Sequence, residues 1–238
     1  MTKISVCIAT YNGEKYIIEQ LNSILCQLND DDEVVISDDY STDNTLELIR
    51  SINDKRIKIV YNNSDKGYTA NFENALIYCK GDYIFLSDQD DIWEKNKVSI
   101  CVNLLDRYDF VVSDCLIIDD EKKIINNSFF KFRKTSFSIA GNIIRFGFIG
   151  CSFAFKRNVL EVALPFPKNR KYCTHDNWIF LVSSIFFKYK VIHSPLFYYR
   201  RHGSNTSSGG SKSKLNMKDK VFYRIYLVYN LILRYFKY

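Results

Sequence analysis

Apolar positions recur along this chain with two different periods. The runs Ile4–Ala9, Glu33–Ser37, Ile57–Tyr61, Tyr83–Ser87 and Phe110–Ser113 are short and rich in β-branched and aromatic residues, which predicts strands. Between them the apolar residues fall three or four apart: Ile17, Leu21, Ile24 and Leu25, then Leu46, Ile49 and Ile52, then Phe72, Ala75, Leu76 and Cys79. That spacing puts each set on one helical face. Ser41 offers an N-cap and Asp43 a first-turn acid to the second helix, Gly81 ends the third, and a fourth is expected over about 95–105. Strands and helices alternating over short connections predict an α/β fold with a parallel, doubly wound sheet.

In such sheets ligands bind beyond the carboxyl ends of the strands. Three polar clusters fall there: Thr10-Tyr11-Asn12, Asp38-Asp39 and Asp88-Gln89-Asp90-Asp91. Three carboxylates within four positions, directly behind an apolar strand, each resist the ionisation of the others. A solvated turn is one reading, since Asp is common in turns. A divalent cation that neutralises the cluster is the sharper one. Neither G-x-G-x-x-G nor G-x-x-x-x-G-K-[ST] occurs, which argues against a glycine-cradled dinucleotide or a P-loop.

After about Asp119 the alternation fails, and 122–138 is polar, aromatic and basic without a clear period. This half is expected to complete the site and recognise a second substrate. Gly203–Ser213 has the composition of a hinge, and Asn216–Tyr238 reads as a basic, aromatic helix. Its longest charge-free run, Ile225–Leu233, is too short to cross a bilayer. The tail therefore fits either an interfacial helix drawn to anionic lipid or a helix packed on the core or on a second subunit.

Composition narrows the classes further. The 238 residues are 47% hydrophobic and 25% charged, as in a globular protein, with too few Gly and Pro for a collagenous or linker-dominated chain. Seven cysteines without any C-x-x-C pair argue against structural zinc and a disulfide framework, and read as small buried hydrophobes in a reducing compartment. No long apolar segment follows Lys3, so a cytoplasmic location is expected. The formal charge of +6 lies in the tail, where seven basic residues follow Gly209 against the single acid Asp219. Residues 1–208 are neutral, which disfavours nucleic acid as a partner.

Taken together, SVCIATYNG (Ser5–Gly13), VVISDDYSTDNT (Val34–Thr45), GDYIFLSDQDDIWEKNK (Gly81–Lys97), GCSFAFKRNVL (Gly150–Leu160), HDNW (His175–Trp178) and YYRRHGSNTS (Tyr198–Ser207) resemble the family 2 glycosyltransferases of the GT-A fold. The likeness is to the bacterial branch that builds surface polysaccharide, rhamnosyltransferase-like members included. It implies a catalytic domain over 1–207, with a nucleotide-sugar-binding half at 1–118 and an acceptor-binding half at 119–207, followed by a hinge and basic amphipathic helical tail at 208–238.

The resemblance also assigns roles. Thr10, Tyr11 and Asn12 would meet the nucleotide, with Tyr11 against a pyrimidine; Asp38 would accept the N3–H of the base, and Asp39 would share that task or cap a helix. Asp88-Gln89-Asp90 matches the D-x-D motif, placing Asp88 near the ribose and the metal and Asp90 on Mn²⁺ or Mg²⁺, hard ions that carboxylate and phosphate oxygens suit. Asp176 would be the general base, and His175 and Trp178 would line the acceptor side. Arg201 would pair with the diphosphate, and His202 would approach the metal. The implied activity is inverting transfer from a UDP- or dTDP-sugar to a saccharide or lipid-linked saccharide, at the inner face of the plasma membrane. A catalytically degenerate binding protein and a nucleotidyltransferase are the alternatives.

Overall fold

The computed structural model describes residues 3–203, 205 and 216–238. Four strands, β1 (Ile4–Thr10), β2 (Glu33–Asp38), β3 (Ile57–Tyr61) and β4 (Tyr83–Ser87), alternate with α1 (Ile17–Leu25), α2 (Thr45–Ser51) and α3 (Tyr68–Tyr78). They pair in parallel in the order β3-β2-β1-β4, as the apolar pattern predicts. Then follow β5 (Ile92–Trp93), α4 (Lys97–Leu105), β6 (Phe110–Ile118), β7 (Ile124–Asn126), α5 (Phe129–Arg133) and α6 (Ile139–Ile144). The chain continues with β8 (Phe153–Lys156), α7 (Asn158–Ala163), α8 (His175–Phe186), β9 (Tyr189–Arg200) and α9 (Met217–Lys237).

Beyond β4 the sheet is mixed rather than parallel. The irregular stretch after β6 returns the chain in the opposite direction, so β8 slots between β4 and β6, antiparallel to both. On the far side β9 runs parallel to β6, and the two-residue β5 pairs antiparallel with β9.

Register brings the chemistry to one edge. Thr10 lies opposite Asp38, Ile8 opposite Ser87, Ile118 opposite Arg200, and Ile92 opposite Tyr198. The loops after β1, β2 and β4 and the end of β9 therefore meet, although they come from distant parts of the chain.

One hydrophobic core runs through both halves without a break at residue 118. Leu227 and Leu231 of α9 are buried in that same core, which settles the packing of the inner face of the tail helix. Each fully buried Leu contributes about 1.5–3 kcal/mol, so this face is anchored. The expected hinge at 208–215 lies outside the described residues. No helix among the described residues is long and apolar enough to cross a membrane. Six of the seven cysteines are buried; Cys26 is exposed.

Candidate active site

The loop after β1 is knitted to the loop after β2. Asn12, with φ of +48°, accepts from Thr42 N at 2.8 Å through its side chain and donates its own N–H to Ser41 Oγ at 2.9 Å. A short polar side chain tolerates that left-handed backbone. Thr10 Oγ1 donates to Asp38 Oδ1 at 3.2 Å, and Asp38 also accepts from Ser41 N and Oγ at 2.8 and 2.5 Å.

Asp38 has 0% of its surface exposed and Thr10 is buried beside it, so both are turned into the loop framework. This corrects the expectation that the Asp38 carboxylate faces the base. Asp39 accepts from Gly67 N, the residue that opens α3, and from Asn62 Nδ2, both at 2.8 Å. Tyr11 stands apart, with 53% of its surface open.

Gln89 links these loops to the acidic one. Its carboxamide donates to Tyr11 O at 3.0 Å and accepts from Tyr11 N at 2.9 Å. Gly13 permits that approach, because a Cβ there would sit 2.5 Å from Gln89 Oε1.

In the acidic loop, Asp88 and Asp91 each bring a carboxylate oxygen within 4.8 Å of the other and of Cys151 Sγ. Burial, then the charge of Asp90, pushes the Asp88 carboxyl up to about 7. Burial likewise raises Asp91, with Asp90 and Asp88 adding to it. Burial and the neighbouring carboxylates thus both disfavour the ionised form in this loop.

Asp90 points toward the end of β9. His202 Nε2 lies 2.8 Å from Asp90 Oδ2, and Asn205 Nδ2 donates to the same oxygen at 3.2 Å. Asp90 and His202 are thus hydrogen-bonded to each other, while the ligand atoms that lie within 4.8 Å of one another among the described residues are those of Asp88, Asp91 and Cys151, of which the carboxylate oxygens suit a hard divalent cation. Arg201 is half-buried, and its Nη1 has no acceptor within reach among the described residues.

Three supporting residues escaped the sequence reading. Arg200, 1% exposed, donates through Nε to Asp90 O at 2.9 Å and through Nη2 to Glu19 at 2.7 Å, while its N–H donates to Asp91 Oδ1 at 3.1 Å. It braces the acidic loop from below. Asn205 belongs to the clasp on Asp90. Lys97 is fully buried, with Nζ donating to Cys151 O at 2.8 Å and lying 4.3 and 4.4 Å from the Trp93 and Phe197 ring centres. Burial lowers its pKa. The apolar run Leu196-Phe197-Tyr198-Tyr199 carried a signal for Arg200, since a charged residue closing a buried strand needs partners.

Asp176 occupies the first turn of α8 and is half-buried. Its Oδ1 accepts from Asn177 N at 2.8 Å and from Thr174 Oγ1. Asp176 is near enough to Asp88 to raise that carboxyl further. Two tyrosines feel its charge. Tyr68 is pushed up to about 12, first by burial and then by Asp176, and Tyr223 of α9 is raised for the same two reasons.

His175 and Trp178 do not line an open acceptor face. Trp178 has 0% of its surface exposed and donates Nε1–H to Ala163 O at 2.8 Å, because it sits on the inner face of α8. His175 stacks on Phe72 at 4.1 Å and lies under the edge of Tyr68, with Gly150 leaving room for its ring. Burial pushes it down to about 4, so it is a neutral packing residue near pH 7.

A mixed sheet with a parallel half and a braced acidic loop at the ends of its strands is the setting in which the family match falls. Residues 5–164 match the family described as Glycosyl transferase family 2, and the chain belongs to that family.

Among its relatives, the "dTDP-rhamnosyl transferase RfbG" of Shigella flexneri is 27% identical, over 91% of this chain and 80% of its own length. The "UDP-Glc:alpha-D-GlcNAc-diphosphoundecaprenol beta-1,3-glucosyltransferase WfaP" of Escherichia coli is 26% identical, over 92% and 85%. The structure of S. aureus TarS (residues 1–349) in complex with UDP-GlcNAc shares the fold, with a TM-score of 0.70 at 21% identity, over 93% of this chain and 64% of that one. This chain is thus a glycosyltransferase with a GT-A-like fold, similar to enzymes of bacterial polysaccharide assembly.

Proposed function

We propose that this chain moves a sugar from a UDP- or dTDP-linked donor onto a hydroxyl of a saccharide or lipid-linked saccharide, with inversion and with Mg²⁺ or Mn²⁺ as cofactor. The 2.8 Å contact of Asp90 with His202, in the same loop as the close carboxylates of Asp88 and Asp91, carries this reading. Asp90, His202 and Asp88 would hold the ion. When bound, it would neutralise charge gathering on the departing diphosphate.

The chain's own residues supply the rest. Tyr11 offers an open ring to the pyrimidine, and Asp39, each of whose oxygens accepts a single protein hydrogen bond, keeps capacity for the N3–H of the base. Arg201 brings an unshared donor to phosphate oxygens. Asp176 takes the proton of the acceptor hydroxyl as its oxygen bonds to the anomeric carbon. The bond from that carbon to the diphosphate oxygen breaks on the opposite side, and the nucleoside diphosphate leaves with the electron pair. A single carboxylate suffices, unlike the paired acids of glycosidases.

The names of the two relatives, one a dTDP-rhamnosyl and one a UDP-glucosyl transferase with a lipid diphosphate acceptor, support both the pyrimidine donors and the acceptor class. Thermal unfolding with UDP or dTDP, with and without Mn²⁺, tests the donor half. One of them raising the midpoint only with metal, and losing that effect in Asp90→Asn, is the expected result. No stabilisation of the folded protein by either nucleotide with metal would favour a degenerate binding protein instead.

A further inference from the structure

Helix α9 has two working faces. The inner one buries Leu227 and Leu231 and grips the segment that leads into the Asp176 turn. Tyr172 Oη donates to Asp219 at 2.7 Å, Asn169 N donates to Tyr226 Oη at 2.9 Å, and Asn177 Nδ2 donates to Tyr223 Oη at 3.5 Å.

The outer face is another matter. Phe222, Ile225, Tyr229, Ile232, Leu233 and Phe236 follow one another at helical spacing and are 50–83% exposed. A continuous apolar stripe of this length on a described surface marks a binding face.

Charge identifies the occupant. The single acid of the helix, Asp219, is taken by Lys171 at 2.8 Å. Arg224 and Arg234 donate to the backbone carbonyls of Ile144, Leu164 and Pro165, which leaves their charges without a carboxylate partner in those bonds. Lys218 and Lys237 stand exposed at the two ends.

Pairing with a second copy across a two-fold axis would set Lys218 against Lys237 if the helices ran antiparallel, and each against its own copy if they ran parallel, like charges at both ends either way. An anionic surface with an apolar interior satisfies stripe and cations together. The helix would lie in that surface, not through it.

We propose that the outer face of α9 docks on a membrane containing anionic lipid, with the apolar stripe sunk into the headgroup boundary. Because the inner face holds 169–177, docking sets the Asp176 side of the cleft against the lipid, where a lipid-linked acceptor would arrive. That last step rests on the transfer reading; the docking itself does not.

Flotation of the full chain with phosphatidylglycerol/phosphatidylcholine vesicles, and with phosphatidylcholine alone, tests it. Binding to the anionic vesicles, at least tenfold weaker in Ile225→Asp/Leu233→Asp and weakened by high salt, is expected. The two replaced side chains face solvent, so an unchanged melting temperature verifies the fold. Failure of the folded chain to float with anionic vesicles overturns the proposal. So does a dimer in light scattering that dissociates in the double variant, which would assign the stripe to a second copy. Transfer to a soluble saccharide acceptor is read separately, so failure there would count against the activity and not against docking.

Discussion

His202 of the segment after β9 meets Asp90 of the loop after β4 at 2.8 Å, across 112 positions of sequence. Mixed-sheet topology makes this contact: β5 pairs with β9 immediately after the acidic loop and draws the two segments together. If the pair holds the metal, His202→Ala lowers Mn²⁺ affinity on the order of 10- to 100-fold. Titrating Mn²⁺ into the protein with UDP or dTDP and reading nucleotide binding measures it. An unchanged Mn²⁺ midpoint would remove His202 from the metal site.

Arg200→Lys is expected to behave as a non-conservative change. The guanidinium reaches Asp90 O and Glu19 from one buried position, with a further long contact to Asp120 O, and an ammonium cannot make that fork. Breaking a buried, paired charge costs about 3–5 kcal/mol. Retaining a Lys charge in the pocket recovers only part of this, so Arg200→Lys should lie between wild type and Arg200→Ala in urea unfolding, with weakened metal binding in both.

Gly13→Ala should destabilise by about 1–3 kcal/mol through overpacking. The obstacle is the Gln89 carboxamide, 2.5 Å from the new Cβ. Gln89→Ala in the same chain removes that obstacle, so the double variant should recover part of the loss relative to the sum of the single changes. Strict additivity would mean that the two loops are not coupled as described.

His175 gives a pH signature. Burial holds its folded pKa at about 4, against 6.5 in an unfolded chain. Between those values the unfolded state binds a proton that the folded state refuses. The stability is therefore fully present above 6.5 and falls as pH is lowered through this window, by about 3 kcal/mol at completion. His175→Gln should show a shallower decline in urea midpoint from pH 7 to 4.5. An identical slope would contradict the buried, neutral ring.

The parallel half was legible because its elements are local: four strands and three helices each announce themselves by period. What the sequence hid was mostly direction and depth. FAFK reads as a strand either way round, and only the path of 119–149 decides that it runs antiparallel between β4 and β6. Arg200 and Arg201 are adjacent, so motif matching favoured the more exposed one, whereas strand geometry gives Arg200 the bracing role. Trp178 could have been recognised: with Leu181 and Val182 it sits at helical spacing on the buried face of α8. Asp38 could not, because its partners Ser41 and Thr10 are as polar as a ligand would be. Its register opposite Thr10 is a tertiary fact.

The central claim is that Asp176 removes the acceptor proton while the acidic loop and the loops after β1 and β2 hold the donor. Asp176→Asn separates the two, since the amide keeps the Oδ1 acceptor position for Asn177 N but cannot take a proton. With a sugar nucleotide, Mn²⁺ and an acceptor, the variant should bind nucleotide as wild type does and transfer sugar about 10²–10⁴-fold more slowly. Wild-type transfer by Asp176→Asn would contradict the account.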